Sequence, residues 1–154
     1  MTFTMEAIGI VRSPKSDPTD DRWGDIKSTI ELDAARFDAD ALAGLDTFSH
    51  CEIVFALDGI DPATIAYGRR RPRDQPHWPS VGIFAQRGSR RPNRIGVTTC
   101  TIVAVDGLRL IVRRLDALDG TPVLDIKPYM REFGPDGDTR QPAWASEVME
   151  HYYA

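Results

Sequence analysis

Short apolar runs alternate with polar residues along most of this chain, and Gly, Pro and Asp punctuate them. Such spacing predicts many brief strands rather than long helices. Glu6–Val11 reads as a strand stopped by Ser13-Pro14, and the polar, Asp- and Pro-rich stretch Lys15–Asp25 reads as a loop. Ile26–Leu32 and His50–Leu57 (HCEIVFAL) read as strands, with a helix between them at Asp38–Leu45, where Ala39, Leu42 and Leu45 share a face. Asp58–Pro79 reads as a basic excursion with little regular structure, followed by a strand at Val81–Ala85. Val97–Val105 and Leu108–Leu115 predict a hairpin around a type I′ turn at Asp106-Gly107. A short strand at Val123–Ile126, a loop at Phe133–Gln141 and a terminal helix at Pro142–Tyr152 complete the pattern.

The sum is a mainly β protein: a small, single-domain β-barrel over residues 1–154 with one or two peripheral helices. A dinucleotide-binding α/β reading fails. There is no Gly-rich turn between a strand and a helix and no regular βαβ alternation.

Charge changes the picture. The formal net charge is −4, which argues against indiscriminate coating of nucleic acid and leaves room for a local basic patch. Yet arginines gather at Arg69, Arg70, Arg71 and Arg73 and again from Arg87 to Arg94, while acids group at Asp17, Asp20, Asp21 and Asp25. That asymmetry suits a directed, anionic partner. No apolar run approaches the roughly 20 residues that span a bilayer, and no signal peptide is evident. Cys51 and Cys100 each sit in apolar, β-branched surroundings with no metal- or redox-type neighbour cysteine, so a cytoplasmic, reduced setting is expected.

The densest chemistry lies in VGIFAQRGSRRPNRIGV, Val81–Val97, and LDALDGTPVLDIKPY, Leu115–Tyr129. Arg87 leaves a strand end, where a guanidinium can clamp a carboxylate or phosphate; the bland alternative is a surface arginine. Arg90, Arg91 and Arg94 can track nucleic-acid phosphates or belong to a solvated loop or subunit contact. Asn93, after Pro92, suits a turn. Asp119-Gly120 reads as a β-turn whose glycine also lets backbone approach a flat ligand. Asp125, Lys127 and Tyr129 alternate along one strand and so share a face, as a surface ladder or as a pocket lining. Trp23 in a polar loop either staples the loop or stacks on a ring. His50 is a lone histidine, and with no metal-type spacing of His, Asp or Glu no metal is assigned.

Four segments in the same order, EAIGIVRSP (Glu6–Pro14), FSHCEIVF (Phe48–Phe55), VGIFAQRGSRRPNRIGV and LDGTPVLDIKPY (Leu118–Tyr129), resemble the TsaA-like, or TrmO, family. The resemblance implies a β-barrel that binds S-adenosyl-L-methionine without a Rossmann fold, usually as a homodimer. It implies methyl transfer to N6 of threonylcarbamoyl-adenosine in tRNA. Carried over by position, the cofactor contacts are Trp23, Gly24, Asp25, His50, Cys51, Arg87, Val97, Leu118, Asp119, Gly120 and Thr121. Asp125, Lys127 and Tyr129 are candidates for positioning the acceptor, and Arg90, Arg91 and Arg94 for holding RNA. The family's arginine loop usually carries an aromatic where Arg90 stands and a proline where Arg94 stands. Full-length bacterial members also carry a further carboxy-terminal domain. A different RNA or a small molecule as acceptor, and a non-enzymatic cofactor-binding regulator, are the alternatives.

Overall fold

The structure, a computed structural model, describes all residues from Met1 to Ala154. Six strands close into a barrel in the order β1 (Gly9–Arg12), β2 (Lys27–Leu32), β7 (Arg109–Arg113), β6 (Ile95–Asp106), β3 (His50–Ala56) and β8 (Pro122–Pro128). Every pairing is antiparallel. β4 (Arg69–Arg70) and β5 (Val81–Gly82) form a separate two-stranded ribbon.

The alternation in β3 shows why this sequence closes. Cys51, Ile53 and Phe55 are buried, while His50, Glu52 and Val54 between them are only partly covered. Across the ladder Thr98 and Cys100 are buried and Val97 and Thr99 exposed. The inward set meets Val11, Ile30, Leu110, Val112, Leu115 and Val123 in one core. Burial drives these residues together at roughly 25 cal/mol per Å2 of apolar surface. Two register shifts help the sheet coil, one opposite Val54/Phe55 in β8 and one between Ile102 and Ala104 in β6.

Several elements depart from the sequence expectation. Asp38–Leu45 is no α-helix: its amides reach back only three residues (Ala41 to Asp38, Ala43 to Asp40, Leu45 to Leu42), and a 3-10 turn follows at Leu45–Thr47. The apolar face is real, with Leu42 buried. The segment is too short to offset helix nucleation, and Gly44 leaves helical conformation at φ 86°. The strand expected at Val81–Ala85 stops after Gly82 and tightens into a 3-10 turn at Ile83–Ala85. β1 starts at Gly9 rather than Glu6: Ile8 still bonds Val123 and Asp33 through its backbone, but the Ala7 carbonyl turns to the Arg36 guanidinium.

The hairpin forms, but Asp106 pairs with Arg109, so the turn residues are Gly107 and Leu108. Only Gly107 has positive φ, the pattern of a type II′ rather than a type I′ turn. β8 runs on to Pro128. The Tyr129 amide donates to the His50 carbonyl, so Pro128 occupies a rung where no donor is needed. The terminal helix α1 is shorter than Pro142–Tyr152, spanning Ala143–Met149.

The residues after α1 fold back on the first long loop. Arg22 and Trp23 donate their amides to the carbonyls of His151 and Tyr152. Gly24 is required by this contact, since a Cβ there would lie 2.2 Å from the Tyr153 carbonyl oxygen.

Candidate functional site

The ends of β1, β7 and β3 and the starts of β2, β8 and β6 meet at one mouth of the barrel. The turn after β7 is fixed there by backbone. Asp119 donates its amide to Lys15, Gly120 to Val11 and Thr121 to Leu118, while the Asp119 carboxylate accepts from the Ser13 amide at 3.0 Å. The carbonyls of Asp119 and Gly120 accept no backbone bond, and the Leu118 amide donates none. Gly120 has φ 85°, and no atom lies within 4 Å of where its Cβ would be. The turn therefore presents a donor, two acceptors and an open surface.

Arg87 reaches the same mouth. Its Nη2 donates to the Val97 carbonyl, and the guanidinium is otherwise exposed. The next residue, Thr98, donates its hydroxyl to Asp116 Oδ1, and the Tyr152 hydroxyl donates to Asp116 Oδ2. Asp116 thus ties β6, the Leu118–Thr121 turn and the tail into one network. Burial pushes the Tyr152 phenol well above its ordinary pKa, and the Asp116 carboxylate adds to the shift. Tyr153 moves the same way for the same two reasons, while Arg114 stacks over its ring at 4.0 Å. Sequence reading left out Thr98, Asp116 and Tyr152. The signal for Asp116 is its place inside the dense LDALDG segment, but no local pattern joins it to Tyr152.

A second group lies on the outside of the barrel wall. Val97, Val54 and Asp125 stand in one row across β6, β3 and β8; Thr99, Glu52 and Lys127 form the next, and Thr101 and His50 the one after. Lys127 Nζ lies 2.7 Å from Asp125 Oδ2, and both are well exposed. This is a surface ion pair, and it raises the Lys127 pKa. His50 is half-buried, with Nδ1 2.7 Å from the Ser49 hydroxyl. Val97 joins this face to the mouth where Arg87 sits.

Other nominated residues hold different positions. Trp23 is 3% exposed beneath the tail, with Lys15 Nζ 4.1 Å over its ring and no partner for its indole N–H. It staples the loop and offers no face to a ligand. Gly24 is shut in by Tyr153, whereas Asp25 is exposed. Cys51 faces the core opposite Cys100, and burial pushes its thiol pKa up to about 12, so only its backbone is available to a ligand.

The arginine loop is less free than its charge suggests. Arg91 donates to the Gln86 carbonyl and Arg94 to the Ile60 carbonyl. Arg90 pairs with Asp74 at 3.5 Å, beside the Arg70–Asp74 bridge. Arg73 is clamped on Asp21 at 2.7 Å, holding that carboxyl below its usual range, and Arg71 donates to the Trp78 carbonyl. Asn93 takes φ 63°, as its turn role requires. A cavity of about 450 Å3 at the other end of the barrel is lined chiefly by Ile8, Leu32, Phe37, Leu42, Leu45 and Phe48. No cationic side chain lines it, and Asp125 borders it from β8.

A closed six-stranded antiparallel barrel with a charged loop over one mouth defines the class: a small, non-Rossmann β-barrel. The family model described as "tRNA-methyltransferase O N-terminal domain" matches residues 12–134, and the chain belongs to that family. It is 36% identical over 169 residues to the tRNA (adenine(37)-N6)-methyltransferase of Escherichia coli strain K12, spanning 99% of this chain and 70% of the relative. It is 34% identical over 140 residues to a probable S-adenosyl-L-methionine-binding protein of Methanothermobacter thermautotrophicus, covering 86% and 93% of the two chains. The crystal structure of TrmO from Pseudomonas aeruginosa superposes with a TM-score of 0.72 at 30% identity, over 91% of this chain and 62% of that one. The chain spans only 37% of a probable S-adenosyl-L-methionine-binding protein of Archaeoglobus fulgidus, to which it is 32% identical.

Proposed function

We propose that this protein is an S-adenosyl-L-methionine-dependent methyltransferase acting on N6 of an adenosine in tRNA, working in the cytoplasm as a homodimer. The observation that carries the reading is the mouth formed by Arg87 and the Leu118–Thr121 turn. It provides an exposed guanidinium and, across the Val97–Thr98 and Asp116 links, an unpaired amide and two unpaired carbonyls. An adenine edge needs one donor and one acceptor, and the amino acid end of the cofactor needs a cation. The residues present fit both, with Gly120 leaving room for a flat ring. Family membership and the printed names of the relatives support the same reading.

Bound there, S-adenosyl-L-methionine supplies a methyl group on a sulfonium, already activated for in-line displacement. The protein then has chiefly to align donor and acceptor and to exclude water. Arg87 holds the carboxylate, the Leu118 amide and the Asp119 and Gly120 carbonyls read the adenine edge, and Val97 forms an apolar floor. Asp125 lies two strands from Val97, about 10 Å away at the usual strand spacing. We assign it, with Lys127 and Tyr129, to positioning the acceptor. His50 and the Cys51 backbone lie on the same wall. The outward Thr99 and Val103 along β6 supply a face for the second copy.

The test is incubation with methyl-labelled cofactor and bulk tRNA. Label in N6-methylated adenosine is the expected result. Tight cofactor binding without transfer to tRNA would leave a regulator or a methyltransferase for another acceptor.

A further inference from the structure

The β4–β5 ribbon ends in two large aromatic side chains that nothing covers. Arg69 pairs with Gly82 and Arg70 with Val81. One rung further on, the Ile83 amide donates to the Gly68 carbonyl at 2.8 Å. Tyr67 and Phe84 flank that rung. They are 80% and 76% exposed, whereas Ile83 beside Phe84 is 3% exposed and anchors it. Neither ring stacks on another aromatic.

The surroundings are cationic. The Ala66 amide donates to the Arg90 carbonyl at 3.0 Å, so Arg90 adjoins Tyr67. Arg69 uses one guanidinium nitrogen on the Ser80 carbonyl and keeps the rest. Arg90 is half-exposed and holds only a 3.5 Å pair with Asp74. Phe84 precedes by three residues the Arg87 that lies on Val97.

We propose that Tyr67 and Phe84 form a stacking platform for unpaired bases of an RNA strand, with Arg69 and Arg90 contacting its phosphates. Unstacked bases seek aromatic faces whatever their sequence, and the strand's phosphates need neighbouring cations. A duplex presents neither free face. The platform rests on the reading of RNA as substrate and names the part of the RNA that is held, a single-stranded segment beside the reacting base.

Fluorescence anisotropy with a labelled single-stranded RNA oligonucleotide, and with the same sequence as a blunt duplex, tests it. Tyr67→Ala and Phe84→Ala should each weaken single-strand binding about tenfold, a loss of ~1.4 kcal/mol within the range for one stacked base. Tyr67→Phe and Phe84→Tyr should retain it, and duplex binding should not change. Arg90→Ala should reduce the salt dependence by about one counterion. Wild-type affinity in both alanine variants, equal loss for single strand and duplex, or no single-strand binding at all would overturn the platform. So would a fall in sedimentation coefficient in the variants, because the rings would then face a second copy. The methyl-transfer assay separates the two conclusions. Ring-dependent binding without methylated tRNA keeps the platform and removes the enzyme, whereas methylation indifferent to the rings does the reverse.

Discussion

Tyr152 donates its hydroxyl to Asp116, and through that bond the end of the chain is tied to the turn that carries Leu118–Thr121. The bond is charge-assisted and half-buried, so Tyr152→Phe should cost about 1.5–3 kcal/mol. Urea unfolding should show a lower midpoint at an unchanged slope. The same residue sets a pH dependence. Its folded pKa is raised by burial and by Asp116, so the unfolded chain loses its phenolic proton first, near the ordinary value of 10.0. The stability is complete below about pH 10 and is lost as pH rises beyond it. Melting temperatures across that range should fall more steeply in the wild type than in Tyr152→Phe.

Gly24→Ala should expel the tail. An added methyl meets backbone, not a flexible side-chain end, so His151–Ala154 must move and release the Arg22 and Trp23 amides. A loss of about 2–3 kcal/mol is expected, in the range for a steric clash combined with broken backbone bonds. Carboxypeptidase should shorten the variant faster than the wild type, and Trp23 emission should shift to the red.

Arg87→Ala should weaken S-adenosyl-L-methionine binding at least tenfold by calorimetry, and Arg87→Lys should recover little of it, because an ammonium cannot present a planar fork to a carboxylate. Thermal stability should stay nearly constant, since the side chain is exposed and its one partner is the Val97 carbonyl. Unchanged affinity would remove Arg87 from the site.

Cys51 should be inert toward a thiol reagent such as DTNB in the native protein. Its sulfur is fully buried, and its pKa is pushed up to about 12 by that burial. Labelling should appear only with unfolding, at the rate of unfolding. Fast native labelling would mean that the β3–β6 wall opens.

The barrel was legible because its strands carry their register in side-chain alternation: HCEIVFAL puts Cys51, Ile53 and Phe55 on one face whatever surrounds it. The Asp38–Leu45 segment was not, because apolar spacing alone cannot tell a helix from a string of tight turns that bury the same Leu42. Trp23 was ambiguous for a different reason: what covers it comes from residues more than a hundred positions away. The arginine loop was the least legible segment. Residue type announces a cation but not the carbonyls that engage Arg91 and Arg94. Tyr67 and Phe84 were readable only as members of a loop and a strand, since their exposure depends on where the ribbon ends.

Asp74 is shared by Arg70, at 2.5 Å, and Arg90, at 3.5 Å. The carboxylate sits where a phosphate between the two guanidiniums would sit. An incoming polyanion therefore meets cations already gathered, but it has to evict an internal rival first. Under the proposed RNA reading, such an exchange makes the β4–β5 ribbon selective: a lone small anion gains too little to displace Asp74, whereas a strand that engages several contacts at once can.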